Sequence, residues 1–213
     1  MQKGNGLFKK SLRRQKPESL PSHFILQANK IYLRPPHIDD YKAWSQLRVE
    51  SRSFLEPWEP LWPCNAHSYQ RYKVYLNNYL DGRKKDQFYI FFIFDKIFGN
   101  LIGGISIGNI RRSVIQSGDI GYWCGEKFSG KGFMLESLHC LITFAFQQLK
   151  LHRIQAASIP TNLRSMRLLE KAGFSQEGLL KDYVKINGEW RDHILYAMLE
   201  SEQPAKASES EAL

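Results

Sequence analysis

Nine residues, GEKFSGKGF at 125–133, limit what this chain can fold into more than any other stretch. They stand between an apolar run, Ile120-Gly121-Tyr122-Trp123-Cys124, and a helical spacing of Leu138, Leu141, Ile142, Ala145 and Leu149. A helix that starts this way leaves its first amides without partners, and its dipole puts partial positive charge there. Glycines let an anion approach the backbone closely. Taken alone, the loop reads equally as an anion cradle or as a turn that merely starts a helix.

One candidate anion is a nucleoside triphosphate. Gly125, Gly130 and Lys131 nearly complete the P-loop spacing, but Gly132 stands where a Ser or Thr should hold magnesium. The strand order also disagrees. Segments 87–94, 101–109 and 118–124 read as three successive strands joined by Gly, Asn and Asp turns, hence antiparallel neighbours. A helix over 132–149 then leads to a strand at 152–158, which should run parallel to 118–124. Asn162 caps a helix that ends at Gly173, and Asn187-Gly188 turns a hairpin between 181–186 and 189–199.

Upstream, segments 24–27 and 31–34 form a short hairpin, and Asp39 or Asp40 caps a helix to about residue 50. The prolines of 54–60 exclude regular structure, and Tyr69, Tyr72, Leu76 and Tyr79 share one face of a second helix. The fold class expected is α+β: a single mixed, mostly antiparallel sheet with helices on both faces.

Composition sets the boundaries. The 213 residues, 43% hydrophobic and 13% aromatic, suit one domain over 23–200. A basic arm at 1–22 and a tail at 201–213 are poor in core residues and are expected to be flexible. The net charge is +9, and residues 1–20 hold Lys3, Lys9, Lys10, Arg13, Arg14 and Lys16 against Glu18. Such an arm is either a solvated tail or a contact for RNA or the ribosome. Cys64, Cys124 and Cys140 lack metal-ligand spacing, so reduced cytoplasmic thiols and no metal are expected. No apolar run approaches the ~20 residues of a membrane helix.

Two motifs in order then carry a resemblance. Lys127-Phe128-Ser129-Gly130-Lys131-Gly132 resembles the GNAT acyltransferase loop Gln/Arg-x-x-Gly-x-Gly/Ala, with lysine in the first place. Asn162-Leu163-Arg164-Ser165-Met166-Arg167-Leu168-Leu169 and Gly173-Phe174 resemble the later motif Asn-x-x-Ala-x-x-Leu-Tyr-x-x-x-Gly-Phe. FLEPWEP, GYWCGEKFSGKGFM, LHRI and NGEWRDHILYAML are similar to the bacterial ribosomal-protein-alanine N-acetyltransferases.

The resemblance implies acetyl-CoA as co-substrate, with its pyrophosphate on the amides of Ser129, Gly130, Lys131, Gly132, Phe133 and Met134. Asn162 would shape the pantetheine path. A bulge near Trp123-Cys124 would splay two strands, so that pantetheine adds to the exposed edge and the Cys124 amide polarises the thioester. The family's usual tyrosine acid is Leu169 here and a frequent glutamate falls near Ala157; the resemblance to the ribosomal-protein branch implies Ser165 as substitute acid, and an ordinary first-turn helix serine is the equal alternative. Glu59 and Asp182 are candidate bases, beside a water chain, and Trp58 with Glu59 a candidate substrate wall. The acceptor implied is the N-terminal amine of a ribosomal protein, on a monomer or homodimer. Alternatives are a small amine, antibiotic or other peptide as acceptor, or a non-catalytic ribosome-associated factor.

Overall fold

The computed structural model describes residues 24–203; the arm at 1–22 and all but the first three residues of the tail lie outside the described residues. Within them an eight-stranded sheet carries helices on both faces. The strands are β1 (Leu26–Gln27), β2 (Ile31–Arg34), β3 (Tyr89–Asp95), β4 (Leu101–Arg111), β5 (Ser117–Cys124), β6 (Arg153–Ser158), β7 (Ser175–Ile186) and β8 (Glu189–Leu199). Their spatial order is β1-β2-β3-β4-β5-β6-β8-β7. Every pairing is antiparallel except β5 with β6. That exception follows from the helix between them, which returns the chain in the same direction.

The helices are α1 (Tyr41–Glu50), α2 (Arg52–Leu55), α3 (Tyr69–Lys84), α4 (Phe133–Thr143) and α5 (Leu163–Lys171). Strand β3 shows why two layers are needed. Phe91 and Ile93 join a core with α4 and α5 residues such as Leu138 and Leu169, whereas Phe92 and Phe94 join Trp44, Tyr72 and Leu76 of α1 and α3. Alternate side chains of one strand are thus buried on opposite faces, each large apolar one contributing about 1.5–3 kcal/mol.

Several local expectations need correction. The helix expected through residue 149 is α-helical only to Thr143 and continues as a π-turn, Phe144–Gln148, with Leu149 N–H bonded to the Phe144 carbonyl at 3.0 Å. The wider turn spreads the consecutive buried residues Phe144, Ala145 and Phe146 less far around the axis. Asp40 does not cap α1. Its carboxylate pairs with Arg34 and accepts the His37 N–H at 2.7 Å, because a buried charge needs a full set of donors. The second hairpin is longer than expected, β7 beginning at Ser175 directly after α5.

Candidate active site

Strands β5 and β6 pair at three positions only, Ser117↔Arg153, Gly118↔Ile154 and Asp119↔Gln155. Beyond them β5 stays with β4 as far as Gly103↔Cys124, and β6 stays with β8 as far as Ser158↔Ile194. The two strands therefore splay, as expected, but without the bulge expected near Trp123-Cys124. The β4–β5 register runs without interruption through Trp123 and Cys124, and its irregularity lies between Gly108 and Arg111. Trp123 lies so close to β4 that a Cβ at Gly104 would come within 2.5 Å of its Nε1, and Arg48 of α1 stacks 4.9 Å from its ring.

The register also fixes which peptide groups face the opening. Gly125 N–H bonds to the Ile102 carbonyl at 2.9 Å, so Gly103 and Cys124 form a non-hydrogen-bonded pair. The N–H and C=O of Cys124 point away from β4, and by alternation so do those of Tyr122. Both face the side that β6 has left.

This edge leads into the glycine loop. A 3-10 turn, Glu126–Phe128, precedes Ser129, and Gly130 and Gly132 follow at φ +76° and +84° with no atom within 4 Å of a would-be Cβ. Gly132 is the N-cap of α4, and the first bonded amide after it is Glu136, to the Gly132 carbonyl at 3.2 Å. Among the described residues the amides of Phe133, Met134 and Leu135 have no backbone acceptor. The Ser129 amide is not free in this way, since it bonds to the Glu126 carbonyl at 3.0 Å. Lys131 is exposed, its Nζ 5.9 Å from the Phe128 ring, and Phe133 packs edge-on against that ring. Glu136 accepts the Lys30 N–H at 2.9 Å.

Across the opening, Asn162 caps α5 by accepting the Ser165 N–H at 3.2 Å. The Ser165 hydroxyl lies 2.8 Å from the Tyr122 hydroxyl. Counting on from the last β5–β6 pair sets Ser158 opposite Tyr122, and its buried Oγ has no partner among the described residues. Burial pushes the Tyr122 phenol up to about 12, with the Ser165 hydrogen bond opposing, and pushes the Cys124 thiol up to about 12 against the weaker pull of Lys131. Both favour their protonated forms at neutral pH.

The proline-rich segment closes the site's other side. Glu59 accepts a two-pronged bond from Arg48 and a 2.8 Å bond from Trp62 Nε1. Both oxygens are taken, so the carboxylate expected as a base is held as a strut. Arg48 further donates from Nε to His67 Nε2 at 3.3 Å and stacks over Trp62. The Glu59 carbonyl accepts the Asn187 N–H of the β7–β8 turn at 2.9 Å. Between segment and turn lies a cavity of about 340 Å3 lined by Ser53, Glu56, Pro57, Ile186, Asn187 and Arg191. Trp58 is half-buried next to it in sequence, in the 3-10 turn Glu56–Trp58. Asp182 is exposed on an irregular stretch of β7, its N–H bonded to the Asp192 carboxylate at 2.9 Å. Among the described residues no helix is long and apolar enough to cross a membrane, and no metal-binding cluster occurs.

A parallel pair opened at one end, a strand edge of free peptide groups and a helix start with two left-handed glycines define an acyltransferase that draws its acyl group from a phosphate-tethered carrier. The chain belongs to the GNAT acetyltransferase family, whose domain model matches residues 30–175, and it is an acetyl-CoA N-acetyltransferase of the GNAT and RimJ kind. It is 38% identical to the Probable N-acetyltransferase YjcK of Bacillus subtilis (strain 168), over 82% of this chain and 97% of that one. It is 34% identical to the [Ribosomal protein uS5]-alanine N-acetyltransferase of Escherichia coli (strain K12), over 81% and 89%. The structure of Mycobacterium smegmatis RimJ in complex with CoA-disulfide superposes with a TM-score of 0.77 at 32% identity, over 82% of this chain and 84% of that one.

Sequence reasoning missed Tyr122, Ser158, Arg48, Trp62 and His67 as parts of the site. No local signal marks Tyr122, which meets Ser165 43 positions away, or Arg48, which reaches Glu59 and His67 11 and 19 positions away.

Proposed function

We propose that this chain acetylates the N-terminal α-amino group of a ribosomal protein, an N-terminal alanine first of all, in the cytoplasm. The observation that carries the reading is the unpaired β5 edge, which joins a loop of unpartnered amides to a pair of hydroxyls. These features fit acetyl-CoA: open space over Gly130 and Gly132 for a pyrophosphate, free peptide groups for pantetheine, and the orphaned Ser158 hydroxyl at the far end. Acetyl-CoA supplies the activated thioester when bound.

Amides from Gly130 to Met134 hold the diphosphate without metal, each charged hydrogen bond being worth roughly 1.5–3 kcal/mol. The Cys124 N–H, aimed into the opening, stabilises negative charge on the acyl oxygen. Asn162 keeps α5 in place, and Ser165 is the proton donor to the departing sulfur. Glu59, tied to Arg48 and Trp62, fixes the proline segment, with Trp58 and the adjoining cavity receiving the acceptor peptide. An α-amino group of pKa ~8 is roughly a tenth neutral at pH 7, so water suffices to take its proton; Asp182 is the exposed carboxylate left from the two expected bases.

The acceptor rests on the likeness to the uS5-alanine enzyme. Its test is a screen of acceptors by release of CoA thiol, set beside a mass-spectrometric comparison of protein N-termini in cells with and without this protein. Turnover on ribosomal-protein N-terminal peptides, with matching loss of acetylation in cells, is expected. Turnover on small amines or antibiotics alone would move the acceptor to another class. Acetyl-CoA binding with no turnover on any acceptor would favour a ribosome-associated binding factor.

A further inference from the structure

Tyr122 lies within the stretch GYWCGEKFSGKGFM but was given no role there, yet the fold brings it to the reacting end of the site. Its ring packs against the core on the α4–α5 side of the sheet, while its hydroxyl meets Ser165 Oγ at 2.8 Å. Ser165 stands in the first turn of α5, where a serine hydroxyl ordinarily turns to nearby backbone or to solvent. Its N–H is fixed by Asn162 Oδ1 at 3.2 Å, so only the hydroxyl can rotate. A serine has one proton to give, and its direction decides what it can serve.

We propose that Tyr122 is the positioning residue of the transfer: its O–H donates to Ser165 Oγ and so turns the Ser165 proton into the opening between β5 and β6. The phenol stays protonated at neutral pH because burial raises it, which keeps it a donor throughout the working range. The inference rests on the reading of Ser165 as proton donor given above. In the transfer a C–N bond forms and the C–S bond breaks. The sulfur leaves with the electron pair and takes the Ser165 proton, and Tyr122 shares its own with Ser165. The proton shed by the acetylated nitrogen returns through water to the hydroxyl pair. The nitrogen loses one proton and the sulfur gains one, so both hydroxyls end as they began.

The test compares the wild type with Tyr122→Phe, Ser165→Ala, the double variant and Ser165→Thr, all of which keep the packing nearly intact. Calorimetry with acetyl-CoA should give affinities within about threefold of one another, since no diphosphate contact changes. Turnover should fall tenfold or more in Tyr122→Phe and in Ser165→Ala, and the double variant should be no slower than Ser165→Ala. Ser165→Thr should recover part of the rate. A second readout needs no turnover: the thiol of bound CoA, followed by thiolate absorbance, should titrate at higher pH in Tyr122→Phe and Ser165→Ala than in the wild type. A merely structural Tyr122 would lower the melting temperature without moving that titration. Wild-type turnover and titration in Tyr122→Phe, or losses that multiply in the double variant, would overturn the inference while leaving the coenzyme site standing. Failure of the wild type to bind acetyl-CoA would overturn both.

Discussion

Single residues at this site are set by what their atoms can no longer do. Gly132 sits at φ +84°, where a side chain costs roughly 1–2 kcal/mol, and its surroundings are open. Gly132→Glu should weaken acetyl-CoA binding at least tenfold by calorimetry, by bulk and by repulsion of phosphate. Gly99→Glu adds the same charge at φ +69° in the β3–β4 turn and should leave affinity unchanged. His67 is held near pKa 4, first by burial and then by Arg48 and Arg52. Its unfolded value is about 6.5, so between these limits the unfolded chain binds the proton and the folded one does not. Stability should therefore fall as pH drops from about 6.5 towards 4, and His67→Gln should flatten that part of the melting curve against pH. Gly132 was legible in the sequence because a glycine before a helix states its own conformation. His67 was not, since Arg48, which donates to its ring, comes from α1, 19 positions away.

At the scale of elements, β5 has two unlike edges. Gly121 and Trp123 give their peptide groups to β4, whereas Tyr122 and Cys124 face the opening. Amide exchange should thus be fast at Tyr122 and Cys124 and slow at Gly121 and Trp123, with acetyl-CoA closing the gap. Equal protection along the free strand would count against an exposed edge. The proline segment depends on Arg48. Arg48→Met leaves Glu59, about 20% exposed, without its partner charge and should cost about 3 kcal/mol in chemical denaturation. The strands, the hairpin turns and the parallel return were readable because alternation and turn chemistry are local. The bulge expected near Trp123-Cys124 was not found: the β4–β5 register is unbroken there, and register depends on a partner strand some 20 residues away.

For the molecule as a whole, charge is unevenly spread, with six basic residues and one acid in the first twenty. A chain lacking residues 1–22 should keep its melting temperature and acetyl-CoA affinity but lose the salt-sensitive part of sedimentation with ribosomal particles. Identical sedimentation of the two chains would remove the arm from any such contact. The sequence by itself determined the order of elements, the mixed sheet and the glycine loop, since periodicity, caps and turn residues act over a few positions. Only the tertiary structure decided that Glu59 is tied to Arg48 of α1 and that Tyr122 meets Ser165. These partners lie 11 and 43 positions away along the chain, and their distance in space is set by packing across the sheet, which no local pattern encodes.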